Sequence, residues 1–188
     1  RLESYVFRGA DGLVAIHDRF AKTMVDSLGV DPNLITVIPN WTHVPAPVGH
    51  RDTTRHRLGW EGQTVVLHAG NMGAKQGLLH DVDAAALADQ SEDRLKIVLM
   101  GNGNQRDDLE RRAKGSRSID IIDGVPDSEF SDVLAAADVL LLHERPGVVE
   151  MCVPSKLTSY FAAGRPVLAA TRGRSAAAAE FRASGPGV

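Results

Sequence analysis

Seven short runs of aliphatic and β-branched residues, separated by stretches with helical spacing, leave few folds open to this chain. They are Leu13–His17, Ile35–Ile38, Thr64–Ala69, Leu95–Met100, Ile119–Ile122, Val139–His143 and Val167–Ala170. Strands alternating with helices build βαβ units and a parallel sheet. Runs that are apolar almost throughout belong to strands covered on both faces. The expectation is an α/β fold with a doubly wound parallel sheet of interior strands.

The intervening periodicities agree. Phe130, Val133, Leu134 and Ala137 recur at helical spacing after Asp127, which reads as an N-cap. Leu79, Val82 and Ala86 mark a helix after Gly77, and Phe20, Met24 and Leu28 mark one ending near Gly29. The run Ala176–Ala179 falls inside a further helix. From Pro39 to Arg55 the chain carries Pro39, Pro45, Pro47 and Gly49 among polar residues, the composition of a crossing loop or linker. The domain boundary is placed there. Residues 1–44 read as the tail of a preceding domain with its linker, and 45–188 as a doubly wound domain of at least five strands.

Composition narrows the function. With 188 residues, 43% of them hydrophobic, the chain can bury a sizeable core. A formal net charge of -3, with basic residues dispersed, lacks the footprint of a nucleic-acid binder. The single cysteine, Cys152, excludes an internal disulfide and any zinc set with paired cysteines, so a cytoplasmic location is expected. Apolar runs such as Asp138–His143 fall far short of the roughly 20 residues of a membrane span. Arg1 in place of an initiator methionine, and an end at Val188 where another strand should begin, lead us to expect a piece of a longer protein.

Three motifs carry chemistry. His68-Ala-Gly-Asn-Met-Gly-Ala-Lys-Gln-Gly77 follows an apolar strand and opens a helix. Its glycines allow close backbone approach, a helix N-terminus favours an anion, and Lys75 can meet a phosphate. A diphosphate site and a tight turn with a solvated lysine are equally open on these residues alone. The spacing is not that of a Walker A loop. Met100-Gly-Asn-Gly-Asn104 places glycines at another strand end, where ligands of open α/β sheets bind, although in isolation relief of backbone strain is the stronger reading. The third motif runs from Glu144 to Leu168 and contains Pro154-Ser-Lys-Leu-Thr-Ser-Tyr-Phe-Ala-Ala-Gly-Arg-Pro-Val167. Ser155 is placed to cap a helix with Leu157, Tyr160 and Phe161 on its apolar face and Gly164 as its stop. With Lys156 beside that helix end, it forms a second anion station.

In this order and combination, the three motifs resemble the carboxy-terminal domain of retaining group 1 GT-B glycosyltransferases, most of all those of the bacterial surface-polysaccharide type. The stretches Ala10–His17 and Ile35–Asn40 are similar to the family's run into its interdomain linker, so the resemblance covers essentially the whole chain. It implies a Rossmann-like half of a GT-B fold that binds a nucleotide-sugar, with UDP the expected nucleotide from the family's commonest usage. Gly70, Asn71, Gly73 and Lys75 would lie near donor phosphates or sugar, and Gly101 and Gly103 would line the nucleotide cleft. Val125 would contact the base, while the stretch from Glu144 to Lys156, including Val153, Pro154 and Ser155, would cradle sugar and diphosphate. Two departures stand out: Ser159 occupies the position where many relatives hold the ribose with a glutamate, and Met151 stands where the first of a glutamate pair would fall. Either Glu144 or Glu150 could serve the sugar, and both could equally be exposed loop carboxylates.

The resemblance implies catalysis without a metal or other cofactor, with Lys75 and Lys156 stabilising the leaving diphosphate. No nucleophile with a base partner is evident: Cys152 has no motif, and His68, His80 and His143 lie on separate elements. A glycan or lipid-linked acceptor would be held by the N-terminal domain, which this chain lacks, so this chain alone is expected to bind nucleotide weakly and turn nothing over. A lipid-linked acceptor would bring peripheral contact with a membrane. The competing readings are a nucleotide-sugar 2-epimerase of GT-B fold, the donor subunit of a two-chain transferase, and a phosphate-binding regulator of flavodoxin type.

Overall fold

The computed structural model describes residues 2–145, 155–173 and 175–184. The chain divides into two compact units between Trp41 and Thr42, with Ser155 grouped with the first. In the first unit, helix α1 (Leu2–Arg8) is followed by β1 (Leu13–Ala15), α2 (Asp18–Leu28) and β2 (Ile35–Val37). The two strands pair in parallel, Leu13 with Ile35 through Ala15 with Val37. Both are shorter than the apolar runs that contain them, and β1 ends early because His17 caps α2, its Nδ1 accepting from the Arg19 N–H at 3.0 Å. Gly29 ends α2 in the left-handed region, at φ 69°.

The second unit begins with α3 (Arg51–Leu58), which the proline-rich composition hid. Only eight residues long and almost wholly polar, it shows no apolar stripe. An ion network fixes it instead. Arg55 donates to the carbonyls of Ala136, Trp60 and Gln63, and with Arg51 it binds Asp138, whose carboxylate also accepts from the Val65 N–H.

Then follow β3 (Thr64–Ala69), α4 (Leu79–Ala88), β4 (Leu95–Met100), α5 (Arg106–Ala113), β5 (Ile119–Ile122), α6 (Asp127–Ala136) and β6 (Val139–His143). The chain closes with α7 (Lys156–Ala162), β7 (Val167–Ala170) and α8 (Ala176–Ser184). The five strands β3 to β7 form one parallel sheet in the order β5-β4-β3-β6-β7. Alternation along β4 shows how it is covered: Val98 and Met100 pack with Tyr160, Val133 and Leu134 on one face, Ile97 and Leu99 with Leu78, Val82 and Leu109 on the other. Helices therefore bury both faces, as a doubly wound sheet requires.

Not every strand is interior. β7 is an edge strand with alternating burial, and Leu168 is 55% exposed; β5 forms the opposite edge. Two helix details also differ from expectation. Asp127 is the first residue of α6 rather than its cap, since Pro126 holds the cap position. On α4 it is Ala85, not Ala86, that turns to the core. Gly164 stops α7 as its composition suggests, at φ 61°.

Candidate functional site

After β5 the chain returns to the centre of the sheet, so the strand order reverses between β3 and β6. In open α/β sheets the carboxyl ends of the strands on either side of such a reversal border the ligand crevice. Here those ends deliver His68, Ala69 and Gly70 from β3 and His143 and Glu144 from β6.

The glycine-rich turn after β3 is laminated on the turn after β4 by backbone hydrogen bonds. The Gly70 N–H donates to the Met100 carbonyl at 2.9 Å, the Met72 N–H to Asn102 at 2.7 Å, and the Gln105 N–H to Met72 at 3.0 Å. This close lamination explains the second motif. A Cβ on Gly101 would stand 2.0 Å from the Gly70 carbonyl oxygen, and one on Gly103 would stand 2.5 Å from that of Met72. Both positions also have positive φ, although that of Gly103 lies near the extended limit. Gly101 and Gly103 are thus required by the packing of one turn on the next.

Beyond Gly70, Asn71 is exposed and Gly73 buried, its N–H donating to the Gln76 side chain at 3.2 Å. Lys75 sits exposed in a 3-10 turn, Ala74–Gln76, that Gly77 ends at φ 66°. The Arg145 N–H donates to the Lys75 carbonyl at 2.9 Å, which ties this turn to the segment leaving β6. A cavity of about 310 Å³ opens beside it, between Ala74, His80, Gln105, Arg112 and Arg145. A larger one of about 430 Å³ lies at the amino-terminal ends of the strands, among Glu61, Glu92, Arg94, Lys96 and Arg117. That depression is remote from the glycine-rich edge, and the chemistry is placed at the strand reversal instead.

Lys156, the first residue of α7, reaches from the third motif to the first. Its Nζ is 3.5 Å from where a Gly70 Cβ would stand and 3.4 Å from Nε2 of His68. Burial lowers the ammonium to about 8, with the Glu144 charge pulling the other way. Glu144 is half-buried; its burial raises its pKa, against the opposing pull of Ser175 and of the Lys156 charge. His68 is fully buried and pushed down to about 3 by that burial first and by Lys156 next, so it is neutral. A cation held near a carboxylate in a poorly solvated edge can receive an anion strongly.

The remaining candidates fall as follows. Val125 is half-buried in the loop after β5 and packs on the core. Ser159, one turn along α7, lines a crevice with Val44, Pro45, Pro47, Ser131 and Leu134. Ser155 is exposed immediately before α7, which is only seven residues long. Val153 and Pro154, with Glu150, Met151 and Cys152, lie outside the described residues. The sequence pointed to Lys156 but missed its neighbour His68, whose signal was the one ionisable residue in the run Thr64–Ala69. It also set the three histidines apart, whereas the fold brings the rings of His80 and His143 to 5.5 Å and puts His143 on Asp81 at 2.9 Å.

Comparison with known proteins shows the family and the fold. Residues 63–183 match the family described as Glycosyl transferases group 1. The chain is 28% identical over 174 residues to the probable glycosyltransferase WbjE of Pseudomonas aeruginosa, covering 90% of this chain and 43% of the relative. It is 31% identical over 159 residues to the 2-deoxystreptamine glucosyltransferase of Streptomyces kanamyceticus, covering 78% and 41%. In fold it is similar to Anabaena HepE in complex with UDP-glucose, with a TM-score of 0.71 at 19% identity over 94% of this chain and 48% of that one. The lipopolysaccharide glycosyltransferase WaaG is similar at a TM-score of 0.67 and 22% identity, over 83% and 43%. The chain therefore spans less than half the length of these relatives.

Proposed function

The chain belongs to the group 1 glycosyl transferases, and from that premise we propose that its second unit binds the nucleoside diphosphate sugar of a retaining GT-B enzyme. In this reading residues 1–44 are the tail of the acceptor domain and its linker, and the carboxy-terminal donor domain starts at residue 45. The observation that carries it is the convergence of Lys156 on the Gly70 edge, where the strand order reverses. The diphosphate lies along Gly70, Asn71 and Gly73, and Lys156, with Lys75 at the rim, offsets the charge that develops as the glycosidic bond to the diphosphate breaks. Amine cations do this in place of a metal. Glu144 faces the sugar, Val125 the base, and Ser159 the ribose side.

UDP is the favoured nucleotide because HepE, at a TM-score of 0.71 to 0.72, has been solved with UDP and with UDP-glucose. The name of the putative colanic acid biosynthesis glycosyl transferase WcaI of Escherichia coli, 28% identical over 145 residues, supports a role in surface polysaccharide assembly. The acceptor, a glycan or lipid-linked sugar, is then held by residues of a longer protein at the cytoplasmic side. No described helix is long and apolar enough to cross a membrane.

The test is a thermal-shift panel of UDP, GDP, ADP and TDP. Selective stabilisation by UDP is expected, rising with concentration as linkage requires, by about 2.7 kcal/mol at a hundredfold excess over Kd. Equal shifts with all four, or none, would overturn the reading.

A further inference from the structure

We propose that His68 is a positioning residue for Lys156: the buried imidazole, through Nε2, holds the lysine ammonium against the Gly70 edge, where an anion of the diphosphate class is received. The inference rests on the donor-site reading above.

His68 occupies β3 between Leu67 and Ala69, both in the core, and is itself completely buried. An imidazole in such a place costs free energy unless its nitrogens are used. A neutral ring has one donor and one acceptor nitrogen, and an ammonium can only donate. The 3.4 Å approach of Lys156 Nζ to Nε2 therefore assigns the acceptor role to Nε2 and the proton to Nδ1. Among the described residues Nδ1 has no hydrogen-bond partner, although the backbone of Asn71 and Leu141 draws the ring toward protonation.

The other titratable groups facing the pair do not take over this role. The Tyr160 hydroxyl accepts from the Ala69 N–H at 2.8 Å. His143 is bound to Asp81 at 2.9 Å and acts on His68 only weakly through its charge. Glu144 faces Lys156 from the end of β6 and draws it by charge. A lysine side chain has four rotatable bonds, and fixing its head before the ligand arrives removes that ordering cost from binding. His68 thus does for Lys156 what a rigid carboxylate does elsewhere, without adding a negative charge beside a diphosphate.

Two variants separate this role from simple space filling. His68→Gln keeps an acceptor within reach of Nζ, while His68→Met fills similar volume without one; His68→Asn, too short to reach, replaces Met if that variant does not fold. First, the lysine Cε resonances of the ligand-free chain are titrated by NMR. Lys156 is expected to titrate at lower pH in His68→Met, because the charged form has lost an acceptor, and close to its original value in His68→Gln. Second, UDP binding is measured by calorimetry. His68→Met is expected to weaken it about tenfold, the scale of a hydrogen bond to a charged group, and His68→Gln by less than about threefold. In a Lys156→Met background, His68→Met should have no further effect. Equal losses in the Gln and Met variants, or an unchanged Lys156 titration, overturn the proposal. If UDP does not bind the unsubstituted chain, the donor-site reading fails, and the titration alone still decides whether His68 holds Lys156.

Discussion

Nδ1 of His143, at the end of β6, lies 2.9 Å from Oδ1 of Asp81 in the first turn of α4, with both side chains almost out of solvent. The same imidazole stands 3.3 Å, by its Nε2, from where a Cβ on Gly77 would be. The pair thus clamps the start of α4 and the glycine-rich turn onto the end of β6.

Hydrogen bonding to Asp81 raises the His143 pKa, against the effect of burial. A raised folded pKa means stability that is complete below the unfolded value of about 6.5 and lost as pH rises through the folded value. The thermal midpoint should therefore fall as pH rises from about 6.5 through the folded value above it, and Asp81→Asn should flatten that part of the profile. A profile unchanged by Asp81→Asn would count against the clamp.

Asp138 works at the other end of the sheet and with the opposite sign. Burial pushes its carboxyl up, but the Val65 N–H and the charges of Arg55 and Arg51 together hold it below the usual range. Its contribution is complete above the unfolded value of about 3.9 and disappears as pH falls through the lower folded one. Asp138→Asn should lower stability at neutral pH, by about 3 kcal/mol or more if Arg55 is left buried without its partner. The same variant should lose less than the original chain on acidification. Urea melts at two pH values check both statements.

Gly101→Ala would push a methyl group into the Gly70 carbonyl oxygen, 2.0 Å away, from a φ of 139°. We expect a loss of more than about 2 kcal/mol, or failure to fold. Gly124→Ala is the control, since nothing among the described residues lies within 4 Å of the added carbon. It should change stability by no more than about 0.5 kcal/mol in denaturant titrations.

UDP affinity should depend on pH through Lys156, whose ammonium titrates at about 8 in the free chain. The cation is present below that value, so affinity should hold at neutral pH and decline on the alkaline side. The midpoint of the decline should lie above 8, because a bound anion stabilises the ammonium. Lys156→Met should remove the dependence as well as most of the affinity. Lys75, exposed at the rim, should contribute less and in a salt-sensitive manner.

What the residues revealed followed the strength of their pattern. All five strands of the large sheet begin and end where the apolar runs do, because each run is bounded by turn-forming or charged residues. The helices α3 and α5 escaped, since α5 buries only Leu109 and α3 only Thr54 and Arg55, so neither has an apolar stripe to read. Leu168 looked like a core residue because hydropathy alone does not mark which strand ends up at an edge. At the site, the glycines and Lys156 stood out as motif residues. Their roles were less legible: Gly101 and Gly103 answer to backbone packing, and the partner of Lys156 lies 88 residues away along the chain.

That separation has a consequence for biosynthesis. The pocket edge does not exist in any partial product of the ribosome shorter than Lys156, and β6 pairs with β3 on the side opposite β4 and β5, across a long stretch of chain. Closing so long a loop is slow relative to local structure. Nucleotide capture in a translation or refolding time course would therefore appear last, as a reporter of finished topology.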